Sequence, residues 1–419
     1  MNPTSRLQMI NWLAGEGLTG LAEADLVRGF CERCRTAGLD LSRGLVAIDT
    51  LDPVFEGRAF RWTDTDTNEG DTFEYLPSDD GEASDNWRRS LFYHMLETDK
   101  PELHLDLRET SSREFSRMEE IATRGHRHLM GFVHRFGATG SIGQMDCVYS
   151  YWTTRQPDGF DEHARSALRD LLPVLALALK AATVARIART VGRVYLGRDA
   201  AEQVMGGRIS RGVSEWINAV LWFSDLRGST AISEAIEPSE IIPFLNDYAE
   251  ASIHAIHDAG GDVLKLIGDG VLAVFTGADM AAARRAALLA EHQFRKNMRA
   301  INAKRSAANR LITSAYVGLH VGEVFYGNIG SEDRLDFTVV GPAVNEVSRI
   351  ASMCNSVERQ FLASSAFLSG LDAAGKKYFV STGRFALRGI GKSQDLYTLD
   401  PDIRSDDGMA GRYARYVSS

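Results

Sequence analysis
The chain has 419 residues, 44% hydrophobic and 25% charged, enough for two or three domains that each bury a core. A formal net charge of −9 argues against a broad nucleic-acid surface, which needs clustered Lys and Arg. The longest apolar stretch, Leu171 to Ala185, is short for a membrane span and holds Pro173 and Lys180, so no membrane partner is expected.

Met1 to Leu13 lacks the basic flank and apolar core of a signal peptide, and four cysteines without a paired framework read as free thiols of a cytoplasmic protein. Cys31 and Cys34, separated by Glu32 and Arg33, could form a redox or metal pair, but no second Cys or His pair follows at zinc spacing, so a helix-borne coincidence is the better reading. Gly44 to Ile48, Arg58 to Trp62, Gly131 to Phe136 and Cys147 to Thr153 read as strands with helices before and after them. Asp64 to Asn86, rich in Asp, Thr, Gly and Ser, reads as a polar loop. His126, His128 and His134 are candidate metal or haem ligands, but surface or satisfied histidines are the better reading because metal histidines need matched partners. Residues 1–165 are taken as one α+β domain.

Residues 166–212 read as a helical linker. Leu168, Leu172, Leu175 and Leu179 keep coiled-coil spacing for less than two heptads, too short a run to establish pairing. From there strands and helices alternate, giving an α/β domain over 213–402. Ala219 to Leu226 is a buried strand running into the turn Arg227-Gly228-Ser229-Thr230. Pro238 opens a helix as a first-turn proline, with Ile241, Ile242, Leu245, Tyr248, Ile253 and Ile256 on its apolar stripe. Asp262 to Phe275 is a hairpin over Gly268-Asp269-Gly270, and Met280 to Ala303 is a long helix. Ala315 to Val321 and Val324 to Ile329 predict a second hairpin, and Tyr378 to Val380, Phe385 to Leu387 and Asp395 to Leu399 predict the closing strands. Residues 403–419 are expected to be a flexible tail.

Asp225 ends the first of these strands and Asp269 sits at the hairpin tip. Each alone reads as a turn residue. Together, at the ends of neighbouring strands, they suit a pair of hard cations that also hold phosphates. Lys265, between Leu264 and Leu266, is a charge in an apolar run and needs a partner or ligand if buried. Val344, Val347, Ile350 and Ala351 predict a helix after Pro342, on which Asn345 and Arg349 are neighbours at i and i+4. An amide and a guanidinium aimed at one point suit charge developing on a phosphoryl oxygen.

These stretches, with Thr338 and Ala386-Leu387-Arg388-Gly389-Ile390, resemble the class III nucleotidyl cyclase catalytic domain from about residue 215 to 400. The resemblance implies a palm-like α/β sandwich and a homodimer whose sites draw on both chains. It implies that Asp225, Asp269 and the Leu226 carbonyl hold two magnesium or manganese ions. Gly228, Ser229 and Thr230 would offer backbone N–H groups to the phosphates. Lys265 and Thr338 would read the adenine edge, Asn345 would orient the ribose, Arg349 would stabilise the α-phosphate in the transition state, and Arg388 would bind the terminal phosphates where the family more often has Lys. ATP would be converted to cyclic AMP and pyrophosphate by attack of the ribose 3′-hydroxyl. Guanylyl-specific members usually carry Glu where Lys265 stands, so ATP is preferred over GTP, the alternative substrate; a catalytically silent nucleotide sensor is the alternative from another class. Gly260-Gly261-Asp262 is followed by Val263, unlike the Glu-Phe of diguanylate cyclases. Gly159-Phe160-Asp161 and the Leu-rich helix after it resemble the end of a GAF-type sensor, implying an N-terminal regulatory domain with a small ligand of unspecified identity.

Overall fold
A computed structural model describes all residues except 66–70, 78–80, 138–140, 144, 211, 213, 406 and 419. The chain divides into two compact units, Met1–Val191 and Gly192–Ser419.

The first unit is built on an antiparallel sheet of β1 (Arg43–Asp49), β2 (Gly57–Thr63), β3 (Asp71–Tyr75), β4 (Glu102–Asp106), β5 (His128–Arg135) and β6 (Cys147–Thr154), in the order β3-β2-β1-β6-β5-β4. Alternation sorts its side chains. Val46, Ile48, Phe60, Phe132 and Trp152 face a core shared with Leu13, Phe30, Cys31 and Cys34 of the Pro3–Thr19 and Glu23–Thr36 helices. Ala47, Leu129, Val133, Tyr149 and Tyr151 face a second core with Leu91, Met95, Met118 and Ile121 from the short helices Leu91–Glu97 and Met118–Thr123. Two strands were not anticipated. β3 lies inside the span read as a polar loop, which also contains the Gly81–Arg88 helix, while its residues 66–70 and 78–80 lie outside the described residues.

The Glu162–Leu196 helix overturns the boundary drawn at 165. Leu168, Leu171, Leu172, Leu175, Leu179 and Ile187 are buried in the first unit's core, so the unit runs on to Val191 and the coiled-coil leucines are already used within it. By length and composition this helix is apolar enough to cross a bilayer, a property that core helices share.

The second unit is an eight-stranded sheet of β7 (Ser214–Leu226), β8 (Asp262–Ile267), β9 (Gly270–Phe275), β10 (Ala315–Gly330), β11 (Leu335–Val340), β12 (Phe361–Ser364), β13 (Phe379–Phe385) and β14 (Gln394–Leu399). The order is β13-β14-β12-β10-β7-β9-β8, with β11 paired to β10. The central strand β7 is buried on both faces. Val220 and Trp222 meet Phe244, Tyr248 and Phe294 of the Pro238–Asp258 and Met280–Ala307 helices, whereas Leu221 meets Ala343 and Val347 of the Pro342–Ser356 helix.

Four expectations for this unit change. Ala315 to Ile329 is one strand, not a hairpin: Gly322 makes no turn but lets the Pro342–Ser356 helix approach, since a Cβ there would stand 2.6 Å from the Ala343 Cβ. In the Pro238–Asp258 helix the buried stripe runs through Phe244, Tyr248, Ala251 and Ala255, leaving Ile242 exposed. Phe385 ends β13, so Arg388 stands in a turn rather than on a strand. Residues 403–419 are not a loose tail. They contribute to the helices Asp402–Ser405 and Asp407–Val417, and Ile403, Tyr413 and Val417 are buried in the main core.

Candidate active site
The register of β7 fixes where its last polar residue lies. Asp225 pairs across with Tyr316 of β10, and Ser224 pairs with Val271 of β9, so the end of β7 lies beside the tip of the β8–β9 hairpin. Gly268 at that tip has φ +62°, a left-handed turn that favours glycine. The turn brings Asp269 against Asp225, and the Leu226 N–H donates to Asp269 Oδ2 at 3.1 Å. Burial raises the Asp225 carboxyl to about 6, and the charge of Asp269 and a hydrogen bond to it add to the rise. Two carboxyls held this close retain a proton or recruit a cation. Among the described residues no third His, Cys, Asp or Glu joins them. The donor set is thus all oxygen and short of protein ligands, which fits a cation that keeps waters and takes substrate phosphates as further ligands.

Lys265 differs from its expected setting. It is exposed on β8, next to exposed Leu266 and Ile267, and is not a buried charge. Its ammonium is ion-paired with Asp336 of β11. Thr338 lies two residues along on the same face of that strand, so Lys265, Asp336 and Thr338 form one polar edge. The sequence signal for Asp336 was its place two residues before Thr338; its pairing across 71 positions was not visible.

The Pro342–Ser356 helix carries Asn345 and Arg349. Both are exposed, and among the described residues neither side chain makes a hydrogen bond or ion pair. Ala343 stands over Gly322, while Val347 and Ala351 lie over Gly318, two residues along β10 from Tyr316, the partner of Asp225. Among the described residues no hydrogen bond or ion pair links Asn345 or Arg349 to the carboxyl pair.

The family model of the adenylate and guanylate cyclase catalytic domain matches residues 214–400. An adenylate cyclase of Anabaena cylindrica is 37% identical over 147 residues, covering 35% of this chain and 29% of that protein. Residues 214–400 thus match the catalytic domain of the adenylate and guanylate cyclases. The terminal-differentiation-specific adenylate cyclase of Dictyostelium discoideum is 26% identical over 188 residues, 44% of this chain and 9% of that protein. The chain thus spans under a third of the length of these two curated relatives. Among solved structures, the adenylyl cyclase CyaB from P. aeruginosa is similar at 25% identity and TM-score 0.41, over 45% of this chain and 95% of that one. The guanylyl cyclase Cya2 is similar at 26% identity and TM-score 0.40, over 44% and 93%.

In this cyclase domain the remaining expected residues sit as follows. Gly228 caps the short Ser229–Ala235 helix with φ +70°, placing Ser229 and Thr230 in its first turn beyond Asp225. Arg388 is exposed in the β13–β14 turn beside Gly389. One anchoring group was missed. Glu346, adjacent to Asn345, accepts from Gln394 at 3.3 Å and stands 3.3 Å from the buried His320 Nε2, whose Nδ1 meets Ser364 Oγ at 2.8 Å. Burial pushes His320 down to about 4 and raises Glu346, so the contact at neutral pH is a hydrogen bond of a neutral imidazole. Of the three N-terminal histidines, His126 bonds Ser42 and Thr153, His128 meets the Pro157 carbonyl at 3.1 Å, and His134 stacks on Phe132.

Proposed function
We propose that the chain is an adenylyl cyclase that forms cyclic AMP and pyrophosphate from ATP, working as a homodimer. The observation that carries this reading is the Asp225–Asp269 carboxyl pair at adjoining strand ends. When bound there, two magnesium or manganese ions would supply charge neutralisation and lower the pKa of the ribose 3′-hydroxyl. The chain's own residues do the rest. Lys265, held by Asp336, reads the base edge with Thr338. Gly228, Ser229 and Thr230 present backbone N–H groups to the phosphates, and Arg388 meets the terminal ones. Asn345 orients the ribose, and Arg349 meets charge growing on the α-phosphoryl oxygens. The choice of ATP is supported by Lys265 in place of an acid.

The homodimer reading is supported by exposed Asn345 and Arg349, whose side chains make no hydrogen bond or ion pair among the described residues. A second copy would bring its Asn/Arg face to the carboxyl pair, and two-fold pairing makes two such sites. Trp216, Phe325, Ile329 and Val340 form an exposed apolar strip on this unit, with Phe325, Ile329 and Val340 lining one groove. The N-terminal unit, with its own cores, is read as a GAF-like regulator, and the protein as cytoplasmic. The deciding assay is the purified full chain with manganese and either ATP or GTP, products separated by chromatography. Cyclic AMP is the expected product. Cyclic GMP alone would make it a guanylyl cyclase, and no product from either nucleotide would make it a silent nucleotide sensor.

A further inference from the structure
The N-terminal unit buries a cation that cyclase chemistry does not use. Arg43, the first residue of β1, is 3% exposed. Its Nε donates to the Tyr151 hydroxyl at 3.0 Å. Its Nη1 is buried and has no hydrogen-bond partner, and among the described residues no carboxylate pairs with the guanidinium. A buried charge without a counter-ion is costly, so such a group normally has one.

Further cations lie near it. Arg61 on β2 and Tyr151 on β6 are both level with Leu45, two residues along β1 from Arg43, so all four side chains share one face of the sheet. The Met118–Thr123 helix packs on this face through Met118 and Ile121, bringing Arg117 before it and Arg124 after it. Burial raises the Tyr151 hydroxyl, and Arg43, Arg117 and Arg61 all act against that rise. Burial lowers Arg61, and Arg43 and Arg124 lower it further. Glu120 is already paired with Arg124 at 2.8 Å, and Asp64 with Arg155 at 2.6 Å. The Tyr151 oxygen accepts from Arg43, which leaves its own hydrogen to donate elsewhere.

We propose that this face of the first unit binds a small oxyanion, the phosphate or carboxylate group of a ligand, through Arg43 Nη1 and the Tyr151 hydroxyl, with Arg117 beside it. A guanidinium edge beside a hydroxyl donor matches the oxygens of such a group. The site is independent of the nucleotide chemistry of the second unit.

The test uses the full chain, with inorganic phosphate and acetate as probes. Titration calorimetry and thermal melting are run against chloride at matched ionic strength and pH. Saturable binding and a melting gain above chloride are expected with at least one probe. Phosphate alone, or acetate alone, identifies which group the site takes, and either supports it. Arg43→Met should weaken that binding at least tenfold, and Tyr151→Phe several-fold. Phosphate held in the cyclase domain is untouched by either substitution, so the two sites are told apart. No gain over chloride with either probe in the wild type overturns the proposal. So does an undiminished gain in Arg43→Met, which would mark a purely structural arginine. If Arg43→Met does not fold, Tyr151→Phe decides, since it keeps the ring and loses only the hydroxyl: unchanged affinity there overturns the site.

Discussion
A carboxyl that must share its surroundings with another carboxyl gives up its proton late. Asp225 does so at about 6 because of burial and Asp269. Replacing either aspartate by Asn removes a cation ligand and also relieves the repulsion. Asp225→Asn and Asp269→Asn should each lower cyclase turnover at least about 100-fold, close to 2.7 kcal/mol of barrier, while melting no lower than the wild type. A variant that keeps a tenth of the activity would remove that residue from the proposed metal pair. Asp49 shows the same physics away from the cyclase site. Burial raises it to about 7, with Glu56 and Asp146 adding to the rise against a 2.5 Å hydrogen bond from Tyr75. A raised acid stabilises the fold fully below its ordinary value near 3.8 and loses that contribution as pH climbs through 7. Urea melts should therefore show stability falling between pH 4 and 7 by on the order of a few kcal/mol more in the wild type than in Asp49→Asn. Equal pH slopes would show that Asp49 titrates normally. The pairing of Asp225 with Asp269 was legible because each lies in a short local motif. The Lys265–Asp336 pair, the His320–Glu346 anchor and the orphaned Arg43 were not, because each depends on a strand or helix brought from far along the chain.

At the scale of elements, the helix bearing Asn345 and Arg349 is placed by two bare positions on β10. A Cβ on Gly318 would come within 2.7 Å of the Ala351 nitrogen and 2.8 Å of the Val347 oxygen, both backbone atoms that no rotamer change can move. Gly318→Ala should therefore cost about 1–3 kcal/mol of stability and also lower turnover, because the helix must lift away from the strand. Calorimetry and steady-state rates check both; a variant with wild-type melting would show that the helix has slack. Sequence periodicity read these glycines as strand or turn residues, since their role is set by a helix some 30 positions later. The C-terminal helix was hidden for a related reason. Its glycines and charges look like a tail, and Tyr413 becomes a core residue only against Tyr378 and His292, with ring centroids at 5.2 and 5.9 Å. The hairpin around Asp269 needed no distant partner and was read correctly to its ends.

For the whole molecule, the proposed homodimer with shared sites makes a quantitative demand. Asp225→Ala and Asn345→Ala should each be nearly inactive alone. Mixed equally, a heterodimer has one site with both defects and one with neither. Random exchange makes about half of the dimers mixed, so activity should return to about a quarter of wild type. A mixture that stays inactive while its subunits demonstrably exchange would show that one chain supplies both residues.

The apolar strip on the cyclase unit has an optical consequence. Of the six tryptophans, Trp216 is the exposed one, 61% accessible, with its ring 3.7 Å from that of Phe325. Indole emission moves to longer wavelength when its surroundings are wet. If copies of the chain meet across this strip, the protein reports its own assembly without any label. Serial dilution should shift the emission to the red at the same concentration at which specific activity falls, and Trp216→Phe should abolish the shift. Emission that holds steady while activity drops would place the meeting surface elsewhere.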